Sequence, residues 1–331
     1  MKCLTRTLAI LSLACVFAFA GLTPAFAAKV TLKLGGIQPA DDTSSIAMQR
    51  YSQLLAERSN GEIDLQWYPA QQLGDATTQI EATSMGSQDM FFDAGSFMGT
   101  FVPDKNVESM YFLFRDQAHY LSYLNSDVMK DFEDRFMKQQ GVRVVANNYV
   151  RQPRSTVSTK PLRSLADFAG LKQRVPDIRG YLESVSAIGA SPVQIAWGET
   201  YLALQQGVVA ACESPLDMVY TSKFFEPAKH ITLTEHIRDN MVIMINDSKF
   251  QSLTPEQQNL LITVGKEVGE WYTTQNALKV DEYVAEMKKA GVEFIEMDVA
   301  PLRAAVALRA QELEKKGLWP VGLYEKIGQM K

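Results

Sequence analysis

One long helix near the carboxyl end limits the possible folds of this chain more than any other feature. Residues 254–257 read Thr-Pro-Glu-Gln, a helix start with a capping threonine and a proline in the first turn. Apolar residues recur at helical spacing from 260 to 287, and Gly291 ends the pattern. About 35 residues at about 1.5 Å each give a helix roughly 50 Å long, which exceeds one domain. A coiled coil is the alternative, but the apolar stripe drifts and contains Gly265 and Gly269.

Strand and helix patterns alternate along the amino-terminal half of the chain. Short apolar or alternating runs predict strands at 30–34, 62–68, 89–93 and 142–146. Amphipathic spacing predicts helices at 44–59, 77–85, 117–124 and 127–140. This alternation predicts an α/β fold with mainly parallel sheets flanked by helices on both faces.

The chain has 331 residues, which is enough for two domains of ordinary size. We expect it to cross between them near Arg151, because a new α/β unit starts immediately afterwards, and again near Asn240. The predicted first lobe is residues 28–151 plus 240–279, and the predicted second lobe is residues 152–239 plus 280–331. The long helix would then span both lobes.

Residues 1–27 have the pattern of a secretory signal peptide. A basic start precedes an apolar core at 8–21, and Ala25-Phe26-Ala27 is a small-x-small cleavage site. A lipoprotein site at Cys15 is the alternative, but Ser12 stands where such a site needs an aliphatic residue. No later segment has the roughly 18 uninterrupted apolar residues of a membrane span. We therefore expect an exported protein that is soluble once mature.

Charge and motif content argue against several classes of function. The formal net charge is −5, and no basic tract is present, so nucleic acid is not an expected partner. Cys212 is the single cysteine after residue 27 and cannot form an internal disulfide. His119, His230 and His236 lack metal-ligand spacing, and nucleotide-binding and nucleophile motifs are missing. We predict no cofactor, no metal site and no catalytic residue.

The stretch 154–216 contains most of the functional signal. Ser164 and Asp167 form a capping box for a short helix, and residues 173–175 read as a short strand. Arg174 therefore stands at a strand end, where ligands collect in open α/β sheets. Its planar guanidinium matches a carboxylate with two hydrogen bonds.

In this order, these residues resemble the solute-binding proteins of tripartite ATP-independent periplasmic (TRAP) transporters. The family has an arginine followed by Val-Pro after Gly-Leu-Lys, and Arg174 takes that place. In the family this arginine holds the ligand carboxylate. Arg154 matches a second family arginine that precedes a Thr/Ser-rich run and Lys-Pro. Trp197 stands where the family has an aromatic residue that packs on the ligand.

The chain departs from the family pattern at one further ligand position. The family commonly has Glu-Asn-Pro where this chain has Glu213 and Ser214 before a proline, and residues 210–211 are Ala-Ala where Asp-Gly is usual. Ser214 is a candidate ligand residue, although a serine reaches less far than an asparagine. A helix cap is its alternative role. Glu213 is as suited to orienting an arginine as to contacting the solute.

Three more residues complete the candidate site. Arg151 adds local positive charge to an acidic protein, which an anion-binding site needs. Gln38 and Ser96 follow predicted strand ends, where ligands collect. Each candidate also has an ordinary alternative: an arginine often forms a surface ion pair, and a tryptophan often packs in the core.

The resemblance implies a two-lobed periplasmic binding protein fold. Such a protein captures a small organic acid and delivers it to the integral membrane subunits of a TRAP transporter, which use an ion gradient. It would be periplasmic and monomeric, and it would not be an enzyme. The broad face of Trp197 favours a monocarboxylate such as a sugar acid, a hydroxy acid or an aromatic acid. C4-dicarboxylates and 2-oxo acids stay open, as do an exported enzyme acting on small acids and a chemosensory binding protein.

Overall fold

The computed structural model describes residues 29–331, so the predicted signal peptide lies outside the described residues. The strands are, in chain order, β1 Val30–Gly36, β2 Ile63–Tyr68, β3 Met90–Ala94, β4 Val142–Val150, β5 Arg154–Ser158, β6 Lys172–Val175, β7 Ser191–Gln194, β8 Ala211–Pro215, β9 His230–Ile237, β10 Asn240–Asn246 and β11 Glu293–Ile295.

The α-helices are, in chain order, α1 Thr43–Arg58, α2 Ala76–Met85, α3 Gln117–Leu124, α4 Asp127–Gln140, α5 Arg179–Ala187, α6 Thr200–Gln205, α7 Leu216–Thr221, α8 Asp247–Gln251, α9 Pro255–Lys289, α10 Ala300–Lys315 and α11 Leu323–Gly328. Short 3-10 helices span Gly95–Thr100, Pro103–Ser109, Leu165–Phe168 and Trp197–Glu199. Every strand and helix predicted in the amino-terminal half is present, and its ends differ from the prediction by at most four residues.

The first sheet has the strand order β2-β1-β3-β10-β4. Strand β1 pairs in parallel with β2 and β3, whereas β10 runs antiparallel to β3 and β4. Because β10 follows β9 in the chain, the polypeptide returns to this sheet after it has built most of the second one.

The second sheet has the order β11-β9-β5-β8-β6-β7. Its pairings are parallel except for those of β5, which runs antiparallel to both β8 and β9. The predicted α/β class with mainly parallel sheets is confirmed, and each sheet is mixed because it contains one strand of opposite direction, β10 in the first and β5 in the second. The reason is geometric: β5 and β10 are the first strands after each crossing, so they start at the edge where their neighbours end.

Helix α9 has 35 residues and starts with the predicted capping box of Thr254 and Gln257. Its first half packs on the first sheet through residues such as Leu261 and Val268, and Met287 near its end packs in the core of the second sheet. A Cβ atom built on Gly265 would lie 3.3 Å from the Cβ of Ala146 in β4. The glycine therefore allows helix and strand to approach closely. The contacts at its two ends show that α9 spans both sheets, as predicted.

The carboxyl-terminal helices close the structure. Leu302 and Leu313 of α10 belong to a large core cluster that also contains Tyr181 of α5 and Phe132 of α4. The carbonyl oxygen of Ile327 in α11 is 2.7 Å from Nε2 of His119. Across residues 29–331, no helix combines the length and apolar character needed to cross a membrane.

Candidate ligand-binding site

A cavity of about 270 Å³ lies between the two sheets, next to the segments where the chain crosses from one to the other. Asp93 and Ser96 line it from the side of the first sheet, and Arg174 lines it from the second. Arg151 and Arg154 line it from the crossing that follows β4. The cavity thus lies where strands β3 and β6 end, as expected for ligand sites in open α/β sheets.

Arg174 has a buried positive charge without a carboxylate partner in the described part of the chain. The residue is 3% exposed, and its Nε atom donates to the carbonyl oxygen of Ile195 at 2.8 Å. Unlike Arg151 and Arg154, it forms no ion pair with any residue from 29 to 331. Burial lowers the pKa of Arg174, and the charge of Glu213 offsets that effect only in part. The remaining N–H groups suit a bidentate carboxylate.

Arg154, in contrast, is neutralised by the protein itself. Its Nε and Nη2 atoms donate to the carboxylate of Glu213, with 2.9 Å between Nη2 and Oε1, and its Nη1 donates to Oδ2 of Asp239 at 3.2 Å. Burial raises the pKa of Glu213, but the charge and hydrogen bonds of Arg154, together with the effect of His236, outweigh burial and lower that pKa to about 2. This pair therefore stays ionised at neutral pH.

Asp239 connects the two crossing segments, and the sequence did not single it out. Its Oδ2 atom also accepts from Nη1 of Arg151 at 3.3 Å, and its carbonyl oxygen accepts from the backbone N–H of Arg151 at 3.2 Å. One carboxylate thus contacts both arginines of the first crossing. The sequence feature that could have indicated Asp239 is its position next to the predicted crossing at Asn240.

Trp197 forms one wall of the cavity. It begins a 3-10 helix just before α6 and is partly buried. The guanidinium carbon of Arg174 lies 5.4 Å from the centroid of its ring, and the ring of Phe224 packs behind it at 4.8 Å between centroids. Both neighbours hold the indole in place.

Five of the eight predicted site residues line the cavity: Arg174, Arg154, Trp197, Arg151 and Ser96. The other three do not. Glu213 is fully buried against Arg154, and Gln38 donates from Nε2 to Oδ1 of Asp93 at 3.3 Å. Ser214 follows Glu213 in β8, so strand alternation turns its side chain to the opposite face, which it shares with Cys212. The structure therefore places Ser214 off the cavity wall.

Asp93 is a cavity residue that the sequence analysis missed. It is the next-to-last residue of β3 and is 3% exposed. Burial raises its pKa to about 6, although the N–H of Ala94 and the charge of Arg151 act against this rise. The predicted strand 89–93 ends at this residue. The same strand end that made Ser96 a candidate could therefore have indicated Asp93 as well.

Two contacts join opposite sides of the cavity region. A Cβ atom built on Gly198, beside Trp197, would overlap the side-chain amide of Gln71, which follows β2. The hydroxyl of Thr221 in α7 donates to Oδ2 of Asp42, the N-cap of α1, at 2.8 Å. Elements of the first and second sheets therefore touch on both sides of the site, which describes a closed arrangement.

Two α/β units that enclose a cavity walled by buried arginines define a two-lobed solute-binding protein. A family model described as "Bacterial extracellular solute-binding protein, family 7" (DctP) matches residues 34–316. The chain belongs to this family, and its structural relatives are solute-binding proteins of TRAP transporters.

Relatives with known ligands match over most of their length. The chain is 31% identical over 265 residues to the 2,3-diketo-L-gulonate-binding periplasmic protein YiaO of Escherichia coli, covering 80% of each chain. It is 29% identical over 279 residues to the sialic acid-binding periplasmic protein SiaP of Vibrio cholerae, covering 84% of this chain and 87% of that protein. A TRAP periplasmic solute-binding protein of Ochrobacterium anthropi with bound L-fuconate gives a TM-score of 0.85 at 30% identity, covering 91% and 99% of the two chains.

Proposed function

We propose that this protein captures an organic acid anion by pairing its carboxylate with Arg174, and that it then delivers the anion to the membrane subunits of a TRAP transporter. The proposal depends on one observation. Arg174 is 3% exposed and lacks the carboxylate partner that Arg151 and Arg154 have among the described residues. Because a buried charge is costly unless it is paired, the site is completed by an anion from outside.

The favoured ligand is a hydroxylated monocarboxylate such as a sugar acid. Trp197 offers an apolar face that a carbon skeleton can cover while the carboxylate meets Arg174. The ligands named for the three relatives above are sialic acid, 2,3-diketo-L-gulonate and L-fuconate, and each of these has one carboxylate and several hydroxyl groups. This chain is proposed to bind an acid of the same kind.

Binding is proposed to couple to closure of two lobes, residues 28–151 plus 240–279 and residues 152–239 plus 280–331. The crossing segments at Arg151 and Asp239 are hydrogen-bonded to each other and would form part of the hinge. Closure excludes water and thereby strengthens the contacts to the anion. We further propose that residues 1–27 direct export to the periplasm, that the protein acts as a monomer, and that an ion gradient drives uptake through the membrane subunits.

A thermal-shift screen over monocarboxylates, dicarboxylates and 2-oxo acids tests this function. A ligand present at about 100 times its Kd adds about 2.7 kcal/mol to the free energy of unfolding, so a true ligand should raise the Tm by several degrees. The bound acid should be recovered chemically unchanged, as NMR of the extracted ligand would show. The proposal fails if no acid raises the Tm, or if the acid is consumed as it would be by an enzyme.

A further inference from the structure

Asp93 places an unsatisfied hydrogen-bond acceptor on the wall of the cavity. Its Oδ1 atom accepts from the N–H of Ala94 at 2.7 Å and from Nε2 of Gln38 at 3.3 Å. Its Oδ2 atom is buried and has no hydrogen-bond partner among the residues that the structure describes. Such an atom is costly unless a donor reaches it, and the cavity is the side from which a donor can come.

Apart from Arg174, the other charged groups around the cavity already have partners within the protein. Arg151 and Arg154 form ion pairs with Asp239 and Glu213 rather than with Asp93. Two more aspartates line the cavity, but Asp75 caps α2 through the N–H of Thr78 and Asp177 accepts from Nε2 of Gln194. Asp93 is thus distinguished by being buried with one oxygen left over.

The cavity consequently has two chemically different walls. Arg174, at the end of β6 in the second sheet, offers N–H groups and a positive charge. Asp93, at the end of β3 in the first sheet, offers a carboxylate oxygen. A ligand that fills the space between them needs an anionic group at one end and a hydrogen-bond donor at the other.

We propose that Asp93 determines specificity by accepting a hydrogen bond from a ligand hydroxyl and by repelling any second carboxylate. This inference rests on the proposed function, and it narrows the substrate class to hydroxylated monocarboxylates with a hydroxyl away from the carboxylate. A charged acceptor forms a stronger hydrogen bond with a hydroxyl than a neutral acceptor does. Two like charges enclosed together oppose binding.

Three acids with six carbons separate these effects: hexanoate has the carboxylate alone, D-gluconate adds hydroxyls, and D-glucarate adds a second carboxylate. Wild-type protein should bind D-gluconate most tightly in calorimetry. D93N keeps the shape of the side chain but removes its charge. We expect D93N to bind D-gluconate about 10-fold more weakly, hexanoate as before, and D-glucarate about 10-fold more tightly. The preference for D-gluconate over D-glucarate should therefore shrink roughly 100-fold.

D177N is the matched control, because Asp177 lines the same cavity but is exposed and already bonded to Gln194. It should leave the preference nearly unchanged, since solvent screens its charge. An unchanged preference in D93N, or an equal loss of affinity for all three acids, would overturn the role of Asp93 alone. Failure of the wild-type protein to bind any of the three acids would count against the proposed function as well.

Discussion

The guanidinium of Arg174 lies over the indole of Trp197, with 5.4 Å between the guanidinium carbon and the ring centroid. The two residues come from different elements, since Arg174 is the next-to-last residue of strand β6 and Trp197 begins the 3-10 helix before α6. The hydrogen bond from Nε of Arg174 to the carbonyl oxygen of Ile195 connects them, because Ile195 stands two residues before Trp197. The charge and the apolar wall of the site are thereby fixed relative to each other.

Replacement of Trp197 by alanine should weaken binding of the cognate acid by about 10-fold, because the ligand loses an apolar face and Arg174 loses a cation–π contact. Trp197→Phe should retain most of the affinity, since it keeps an aromatic face. Calorimetric titration of both variants measures the difference. Equal affinities for wild type and Trp197→Ala would show that the indole is only part of the core around Phe224.

A side chain at position 198 should hinder closure. Gly198→Val places atoms where the amide of Gln71 now lies, so we expect weaker binding and a larger radius of gyration by X-ray scattering with saturating ligand. The added substitution Gln71→Ala should restore part of the affinity, because the obstacle is the end of a flexible side chain. Gly328→Ala is the control, since its nearest neighbour would be 3.9 Å away. If Gly198→Val with ligand had the same radius of gyration as the wild-type protein with ligand, the closed arrangement would be contradicted.

Local signals in the sequence predicted much of the fold. The caps at Thr254 and Ser164 involve residues three positions apart, so they can be recognised without knowledge of the tertiary structure. The direction of β5 and β10 was missed for the opposite reason. It depends on where the chain enters each sheet after a crossing, which is a property of the whole topology.

The site was predictable only where a motif marked it. The run around Arg174 indicated a strand end and an anion, and the cavity lies there. The pairing of Arg154 with Asp239 joins residues 85 positions apart, and no local pattern indicates such a contact. The orientation of Ser214 was missed because it depends on which face of β8 meets the cavity, and the motif alone does not fix that face.

Glu213 supports Arg154 rather than lining the cavity, so its loss should reduce stability even without ligand. Glu213→Gln leaves a buried guanidinium with Asp239 as its remaining carboxylate, and we expect the free energy of unfolding to fall by about 3 kcal/mol. Urea denaturation of the ligand-free protein measures this. Arg58→Ala, which breaks the exposed pair with Glu267, should change stability little. Equal effects of the two variants would contradict the supporting role.

Asp217 should make stability fall as pH rises from about 4 to about 6. Burial, with a contribution from Asp42, raises the pKa of Asp217 from 3.8 to about 6. Between these values the folded protein keeps a proton that the unfolded chain releases, so rising pH favours unfolding by on the order of 2 kcal/mol. Asp93 acts in the same direction, whereas Glu213, with a pKa of about 2, acts oppositely and mostly below pH 4.5.

Denaturation curves recorded from pH 4 to pH 7 test this dependence. Asp217→Asn has no proton to lose, so its free energy of unfolding should vary less with pH than that of the wild-type protein. The same slope in both proteins would show that Asp217 titrates normally and is not held in a buried environment.

Arg174 is proposed to hold the carboxylate of the ligand. The most direct measurement is the Kd of the acid found in the screen for wild type, Arg174→Lys and Arg174→Ala, each confirmed to be folded by circular dichroism. Loss of a buried charge partner costs about 2–5 kcal/mol, so Arg174→Ala should bind roughly 30-fold to several thousand-fold more weakly. The affinity of Arg174→Lys should lie between those of wild type and Arg174→Ala, because lysine keeps the charge but not the planar guanidinium. An unchanged Kd in folded Arg174→Ala would contradict this role of Arg174.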